Sequence, residues 1–195
     1  GKGSTSIAKN DFEEEVDFMG ASINFSASGA SAASLSRYFP RVLELMADAA
    51  LNPNFLNEEF EKEKEKLIEG IKSSEKSVSA AARRVENLIT YGANHPYGEY
   101  AKIETVSKLN LEDVKKYYAS NYNPKNAYLV VIGDVEFKSV KKHVSKLFKD
   151  WKGEAPNAYV FEPAKNSSEL EVHFTEMNNA KQSEVSVGFT NYIKK

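Results

Sequence analysis

One charged stretch, Asn52–Lys72, most constrains how this chain can fold. Its sequence, NPNFLNEEFEKEKEKLIEGIK, opens on Asn-Pro, which disfavours helix immediately before it. Asn57 is a good N-cap, and Glu58 and Glu59 place negative charge on the first turn, where the helix dipole favours it. The apolar residues recur at helical spacing and predict one narrow stripe facing a core: Leu56, Phe60, Leu67 and Ile71. The other faces alternate Glu and Lys, which is typical of a solvated, ion-paired surface.

Composition excludes several classes of protein. The 195 residues are 41% hydrophobic and 28% charged, an ordinary globular mixture, and a net charge of −2 offers no basic patch for nucleic acid. No apolar run is long enough to cross a bilayer, and the absence of Cys excludes disulfides and thiolate metal sites. Because the sequence opens GKGSTS, without an initiator Met, we expect an excised fragment, with any signal peptide upstream.

The hydrophobic pattern predicts a helix-rich α+β fold with antiparallel strands. Helical spacing predicts helices at Ala8–Gly20, Pro40–Leu51, Asn57–Lys72, Ser77–Tyr91, Leu111–Tyr122 and Glu136–Trp151. Alternating or β-branched runs predict strands at Ala21–Ser28, Ala32–Tyr38, Asn126–Val135, Leu170–Thr175 and Glu184–Phe189. The apolar run at Asn126–Val135 is continuous, so we expect that strand to be covered on both faces or central in its sheet.

The same pattern suggests a division of the chain into domains. Residues 1–152 make most of one α+β unit, and 153–168 form a polar, Pro-containing linker. Residues 169–195 would then be closing strands or the start of a second unit. Gly92–Tyr100, GANHPYGEY, is expected to be a loop because of its Gly and Pro content.

The histidines do not have the spacing of a zinc site. A helical zinc site usually takes two ligands one turn apart, but no two of His95, His143 and His173 are three or four residues apart. His95 is expected to hydrogen-bond within its loop, His143 to be solvated on a helix, and His173 to lie in a strand. The interpretation is that this chain builds no zinc site of its own.

Other catalytic patterns are equally weak. The serines of the predicted hairpin lack a G-x-S-x-G elbow and fit the polar face of strands. The opening Gly1-Lys2-Gly3-Ser4 is only superficially like a phosphate loop, since no strand precedes it. The carboxylate pairs Glu59/Glu63 and Glu65/Glu69 alternate with lysines, which favours a surface over acid–base machinery.

Four phrases, taken in order and spacing, resemble the M16 metallopeptidases, the family of insulinase, pitrilysin and the mitochondrial processing peptidase. They are DFEEEVDFMGASINFSASG, PRVLELMADAALNPNFLNEEFEKEKEKLIEGIK, GANHPYGEY followed by LNLEDVKKYYASNYNPKNAYLVVIGDV, and the helix ending at Trp151. The resemblance covers nearly the whole chain. It implies an α+β fold of two similar halves, with a sheet flanked by helices, of which this chain would hold most of the first half and the start of the next.

The resemblance also implies where a zinc site would be. Active members bind zinc through an H-x-x-E-H helix, expected upstream of Lys2-Gly3-Ser4 or absent from the parent protein, and through a Glu on the Asn57–Lys72 helix. The family's accessory Glu matches Glu63, and its zinc ligand falls at Gly70, which cannot bind a metal. Glu69 is a poor substitute, because one residue turns a helical side chain by about 100°. The family's polar hairpin tip, with Arg and Glu, is here Ser28-Gly29-Ala30.

These departures indicate a non-catalytic M16 half or subunit that completes the peptide-binding chamber beside an active zinc endopeptidase. Its partners would be peptide or protein substrates and that catalytic half, with zinc bound by the partner or parent and none by this fragment. Two alternatives stay open: a catalytic peptidase whose H-x-x-E-H helix lies upstream, with Glu69 or Glu63 as ligand, and a non-enzymatic scaffold subunit. A periplasmic or secreted location is expected, and the peptide-binding residues are not identified.

Overall fold

The structure is a computed structural model that describes residues 3–154, 159–161 and 163–190. Seven helices and one two-stranded sheet occur in these ranges. In chain order they are α1 (Lys9–Phe18), β1 (Ser22–Ser26), β2 (Gly29–Ala33), α2 (Phe39–Leu51), α3 (Asn57–Ser74), α4 (Val78–Tyr91), α5 (Ile103–Lys108), α6 (Leu111–Asn121) and α7 (Phe137–Leu147). The chain divides into two compact units, the first within Gly1–Phe60 and Asn110–Asn157, the second within Glu61–Leu109 and Ala158–Lys195. The predicted α+β class is confirmed.

The first unit has a core built by α1, β1 and α2. Phe12, Val16 and Met19 recur at helical spacing along and just after α1, and all three are buried. Gly20 follows with φ of +58°, a left-handed conformation that Gly adopts without a steric penalty, and it ends the helix as predicted. The cluster of buried side chains comprises Phe12, Val16, Met19, Ile23, Val42, Leu45 and Ala49.

The small sheet is an antiparallel hairpin with a two-residue turn. Its register places Ser22 opposite Ala33 and Ser26 opposite Gly29. The return strand predicted at Ala32–Tyr38 is only partly right: Ala32 and Ala33 do pair with β1, but β2 begins at Gly29 and ends at Ala33, and Ser36–Tyr38 forms a 3₁₀ turn. The physical reason is that a tight turn pairs the residues next to it, so the partner strand cannot begin several residues later.

Polar side chains join the other parts of the first unit to α2. Ser4 is buried and donates a hydrogen bond to the Asp48 carboxylate, and its Oγ accepts from the backbone N of Ser6 and of Ile7, each at 3.1 Å. Tyr118 of α6 donates a 2.6 Å hydrogen bond to the carbonyl oxygen of Ala50. The N-terminal loop and α6 are thus both fixed to α2.

The second unit contains most of α3, together with α4 and α5. Ile71 of α3 and Val106 of α5 are buried, and Lys64 donates a 2.9 Å hydrogen bond to the carbonyl of Leu109. The predicted stripe on α3 is partly wrong, because Leu56 and Leu67 are about half exposed. Helical spacing predicts an inward stripe on α4; its Val78, Ala81, Ala82 and Val85 are half-buried, whereas Leu88 and Ile89 are more exposed. The short helix α5 carries too few residues for a periodic signal and was not predicted.

Three predicted strands are not formed among the described residues. Asn126–Val135 contains the end of a 3₁₀ turn and no strand, and its Tyr128 and Ile132 are more than 90% exposed, not covered. Leu170–Thr175 and Glu184–Phe189 likewise lie outside any ladder. A strand forms only with a hydrogen-bonded neighbour, and an alternating sequence predicts which side chains share a face but not which segment will pair with it.

The helix predicted to reach Trp151 ends at Leu147. The predicted linker at residues 153–168, between two structural units, stays a prediction.

Candidate functional site

The residues that the family resemblance singles out, Glu63, Glu69 and Gly70, all lie on α3. Glu63 and Gly70 are seven residues apart, which returns to the same side of a helix within about 20°. Glu69 is turned about 100° from Gly70, so it faces elsewhere. The helix forms because it has acidic residues in its first turn and Lys72 in its last, which suits the helix dipole. The predicted helix is therefore present, and it places Glu63 and Gly70 on one side and Glu69 on another.

Both glutamates on α3 form ion pairs with lysines on the same helix. Glu63 lies 2.7 Å from Lys66, and Glu69 lies 2.7 Å from Lys72. The glutamate side chains are 66% and 70% exposed. Such pairs, one turn apart in water, contribute about 0–1 kcal/mol. The surface interpretation of these carboxylates is consistent with this geometry.

Gly70 is exposed, and packing does not require a glycine there. A Cβ built at this position meets no atom within 4 Å. Glycine in a helix interior costs roughly 0.5–1 kcal/mol relative to alanine. The position therefore has room for a larger side chain, so steric packing alone does not require a glycine at this point of α3.

The side chains on α3 do not fit a zinc ion. Zinc sites need three or four convergent ligands. Within the described residues there is no group of three His, Asp or Glu side chains that could hold a metal. Glu63 faces the same side as Gly70, which has no donor atom, and Glu69 points away.

The three histidines lie in three separate places. His143 on α7 was predicted to be solvated, but it is half-buried. Its Nδ1 lies 2.9 Å from the carbonyl oxygen of Ser139. His173 lies 2.9 Å from the carboxylate of Glu171, in a segment that is not a strand. The lowered pKa of Glu171 follows from its hydrogen bonds with Ser167 and His173.

His95 is the one buried histidine among the described residues, and its predicted local hydrogen bond is present. Its Nδ1 accepts a 3.1 Å hydrogen bond from the backbone N of Tyr97. Three aromatic rings contact the imidazole: Tyr91 stacks at 5.0 Å, Tyr97 lies at 5.3 Å and Phe161 meets it edge-on at 4.4 Å. The sequence placed His95 in a loop correctly but gave no sign of these aromatic neighbours, because Phe161 is distant along the chain.

Two glycines fix the path of the His95 loop. Gly98 donates from its N to the carbonyl of His95 at 2.8 Å, and a Cβ on Gly98 would lie 1.9 Å from the carbonyl oxygen of Gly92. No side chain can be accommodated there. Tyr97, between them, is 65% exposed. The loop therefore presents an aromatic side chain on a rigid backbone.

The β1–β2 hairpin is the described structure best suited to contact an extended chain. Gly29, Ala30 and the small residues after them line β2, and all but Gly29 are exposed. A shallow cleft borders the hairpin, lined by Asn24, Phe25, Ser26, Gly29, Ala30 and Ser31. Small side chains leave backbone groups accessible, as strand addition requires.

No described helix is long and apolar enough to span a membrane.

Two family profiles match successive parts of the sequence. The profile of the insulinase family, peptidase family M16, matches residues 2–97, and that of the peptidase M16 inactive domain matches residues 108–194. The zinc protease PqqE of Helicobacter pylori is 25% identical over 88% of this chain and 41% of its own length. The alpha subunit of the potato (Solanum tuberosum) mitochondrial-processing peptidase is 29% identical over 70% of this chain and 28% of its own. The chain thus spans less than half of either relative.

Solved structures agree on the fold. A peptidase M16 inactive domain from Pseudomonas fluorescens matches with a TM-score of 0.73 at 20% identity, over 84% of this chain and 41% of that one. The first half of the periplasmic protease PqqL from Escherichia coli matches with a TM-score of 0.63 at 17% identity, over 85% of this chain and 38% of that one. Two profiles of one family cover nearly the whole sequence in order. The chain belongs to the M16 metallopeptidase family.

Proposed function

We propose that this chain is part of a non-catalytic M16 half or subunit that completes the peptide-binding chamber of an active zinc endopeptidase. The observation that carries the proposal is Gly70: the resemblance assigns it to the family's zinc-ligand position on α3, and open space surrounds it. The match of residues 108–194 to the peptidase M16 inactive domain supports it. Zinc would then be bound by the catalytic partner or parent.

The chamber function needs a way to hold peptides of differing sequence. Strand addition to a sheet edge provides it, because backbone hydrogen bonds do not depend on the side chains of the peptide. The exposed β2 strand, with its small side chains, is the surface we assign to this role. A periplasmic or secreted location is in keeping with the likeness to the periplasmic protease PqqL.

Zinc content and peptide binding together test the proposal. The full chain, dialysed and analysed by mass spectrometry for metals, is expected to hold zinc well below one ion per chain and to cleave no unstructured peptide. A fluorescein-labelled extended peptide should bind in the presence of an active M16 partner, as measured by anisotropy. The matched control is the same peptide with N-methyl groups on alternate backbone amides, which removes ladder donors and should weaken binding by about tenfold or more.

Each contrary result has a definite meaning. Stoichiometric zinc with cleavage by the chain alone would overturn the proposal. Failure to bind any extended peptide with the partner present would favour a scaffold subunit. Equal binding of the N-methylated peptide would remove strand addition while leaving the chamber role in place.

A catalytic parent protein is the second candidate, favoured by the likeness to the zinc protease PqqE. It requires an H-x-x-E-H helix upstream and a ligand role for Glu69 or Glu63. In a longer protein with peptidase activity, Glu69→Gln should then abolish cleavage and Glu63→Gln should weaken it. Unchanged activity in both variants would exclude these residues as ligands.

A further inference from the structure

Two cations in the second unit share one aromatic ring. The guanidinium of Arg84, on α4, lies 5.8 Å from the centroid of the Tyr100 ring, and the ammonium of Lys102 lies 5.3 Å from the same centroid. Both distances fall within the range of about 6 Å over which an aromatic ring attracts a cation. The ring is 46% exposed, so a ligand can reach it from solvent.

Neither cation has an acidic partner in the part of the chain that the structure describes. Glu99 and Glu104 are close by in sequence, but no described carboxylate lies within ion-pair distance of Arg84 or Lys102. Arg41 of the first unit differs, because two carboxylates contact its guanidinium. Arg84 is half-buried, so it has given up part of its hydration without gaining an anion. Its forked N–H donors remain available to a ligand.

The backbone around the ring is held by hydrogen bonds. Gly98, two residues before the ring, donates from its N to the carbonyl oxygen of His95 at 2.8 Å. Two residues after the ring, the Lys102 N donates to Thr105 Oγ1 at 3.3 Å, and the Lys102 carbonyl oxygen accepts from that hydroxyl at 2.8 Å. Arg84 comes from a helix of 14 residues. Ring and cations therefore project from regular or hydrogen-bonded backbone.

The chemistry of the three side chains favours a carboxylate attached to a carbon chain. A guanidinium donates two parallel hydrogen bonds to the two oxygens of a carboxylate. The phenol ring adds apolar surface, which can pack against the carbons next to that carboxylate. An anion would also relieve the repulsion between two positive charges held near one ring. A peptide supplies such a group at its C-terminus or on an Asp or Glu side chain.

We propose that Arg84, Tyr100 and Lys102 form a binding site for a peptide carboxylate. Arg84 makes the two hydrogen bonds, Tyr100 contacts the carbons beside the carboxylate, and Lys102 adds positive charge. The site lies in the second unit, whereas the β1–β2 hairpin belongs to the first. The site therefore goes beyond the chamber role assigned above, and its test needs no catalytic partner.

An NMR titration of the full chain with short acetylated peptides tests the site. One peptide has a free C-terminal carboxylate, and its counterpart is the C-terminal amide. A second pair, both amidated, differs only in one internal Glu or Gln. Each carboxylate peptide should bind about tenfold or more tightly than its neutral counterpart, as followed by the Arg84 Nε–H and Tyr100 backbone N–H resonances. The pair with the larger difference identifies the source of the carboxylate.

Variants locate the binding. Arg84→Gln should abolish the preference for a carboxylate, and Arg84→Lys should keep only part of it because an ammonium lacks the fork. Lys102→Gln should weaken binding by about two- to fivefold, as expected for an exposed ion pair. Arg83→Gln is the matched control: it removes the same charge from an exposed neighbour that the helix turns by about 100°. It should leave the affinity unchanged.

Equal weakening by Arg83→Gln and Arg84→Gln would overturn the proposal, because it would indicate general attraction to a positive surface. Equal affinities for the acidic and neutral peptides would overturn it as well. Displacement of a bound peptide by an equal concentration of inorganic phosphate would assign the site to small anions and not to peptides. If Arg84→Gln fails to fold, Arg84→Lys and the four peptides on the unmodified chain decide the question.

Discussion

The hydroxyl of Tyr118 donates a 2.6 Å hydrogen bond to the carbonyl oxygen of Ala50, near the C-terminus of α2. Four carbonyls at the end of a helix have no partner within it, and Tyr118 supplies one. Tyr118→Phe should lower the free energy of unfolding by about 0.5–1.5 kcal/mol, measured by urea denaturation. Tyr117→Phe, on the same helix and more exposed, is the matched control and should change it little. Equal effects in both variants would contradict the capping role.

At alkaline pH, the unfolding free energy of the first unit depends on Tyr118 and Tyr122. Burial raises the pKa of both phenols above the ordinary value, because a charged phenolate loses hydration. A raised folded-state pKa gives stability that is present below the unfolded pKa of about 10 and is lost as pH rises through the folded value. Unfolding free energy should therefore fall above about pH 10. In Tyr118→Phe the fall should be smaller, and an unchanged slope would contradict the assignment.

The pair formed by Glu15 and Arg41 has the opposite dependence on pH. Two hydrogen bonds join them, at 2.6 and 2.9 Å, and they hold the pKa of Glu15 below its usual value. The stabilisation is present above the unfolded Glu pKa and disappears as pH falls through the folded one. Arg41→Ala should cost at most about 1 kcal/mol at pH 7, since both side chains are over one-third exposed. That cost should vanish in acid; a cost that persists at pH 3 would indicate lost packing.

Ser4 satisfies two backbone amides at the start of the chain. Ser4→Ala leaves the N–H groups of Ser6 and Ile7 without the buried Oγ and removes its bond to Asp48. We expect a loss of about 1–3 kcal/mol in unfolding free energy. Ser28→Ala, at the exposed hairpin tip, is the control and should be nearly neutral. A neutral Ser4→Ala would show that water replaces the hydroxyl.

Gly70→Ala should stabilise the chain by roughly 0.5–1 kcal/mol, because alanine favours the helix and its Cβ has room. Gly98→Ala is the contrasting variant: its Cβ would lie 1.9 Å from the carbonyl oxygen of Gly92, so the loop must distort. Thermal unfolding of both variants checks the pair of expectations. Destabilisation by Gly70→Ala would mean that the open space beside α3 is filled by another element in solution.

Local sequence signals predicted the elements that local interactions determine. The Asn110 cap is present, with Oδ1 accepting from the backbone N of Glu112 and of Asp113. Gly20 ends α1, and α3 begins at Asn57. Each of these depends on residues a few positions apart. For the candidate site, the same kind of reasoning located Glu63, Glu69 and Gly70 on one helix, and whether they match the family's ligand positions stays a prediction.

Features that depend on distant residues were not predictable. Val130 and Val172 both sit in patterns typical of strands, yet neither lies in a ladder among the described residues. Alternation indicates which side chains would be buried, while the pairing partner comes from elsewhere in the chain. The contact of Phe161 with His95 is of the same kind, since 66 residues separate them and no local pattern joins them.

Gly98 has a consequence for how the His95 loop can vary. Its close approach to Gly92 leaves no room for a side chain at position 98, and Tyr97 projects from that loop with 65% of its surface exposed. Replacing Tyr97 should change the surface of the loop but not the route of its main chain, because the Tyr97 backbone N and the Gly98 backbone N make the hydrogen bonds that hold it. Different residues therefore specify the backbone path of this loop and the chemistry of its surface. Substitutions at Tyr97 can alter the surface while the backbone path stays the same.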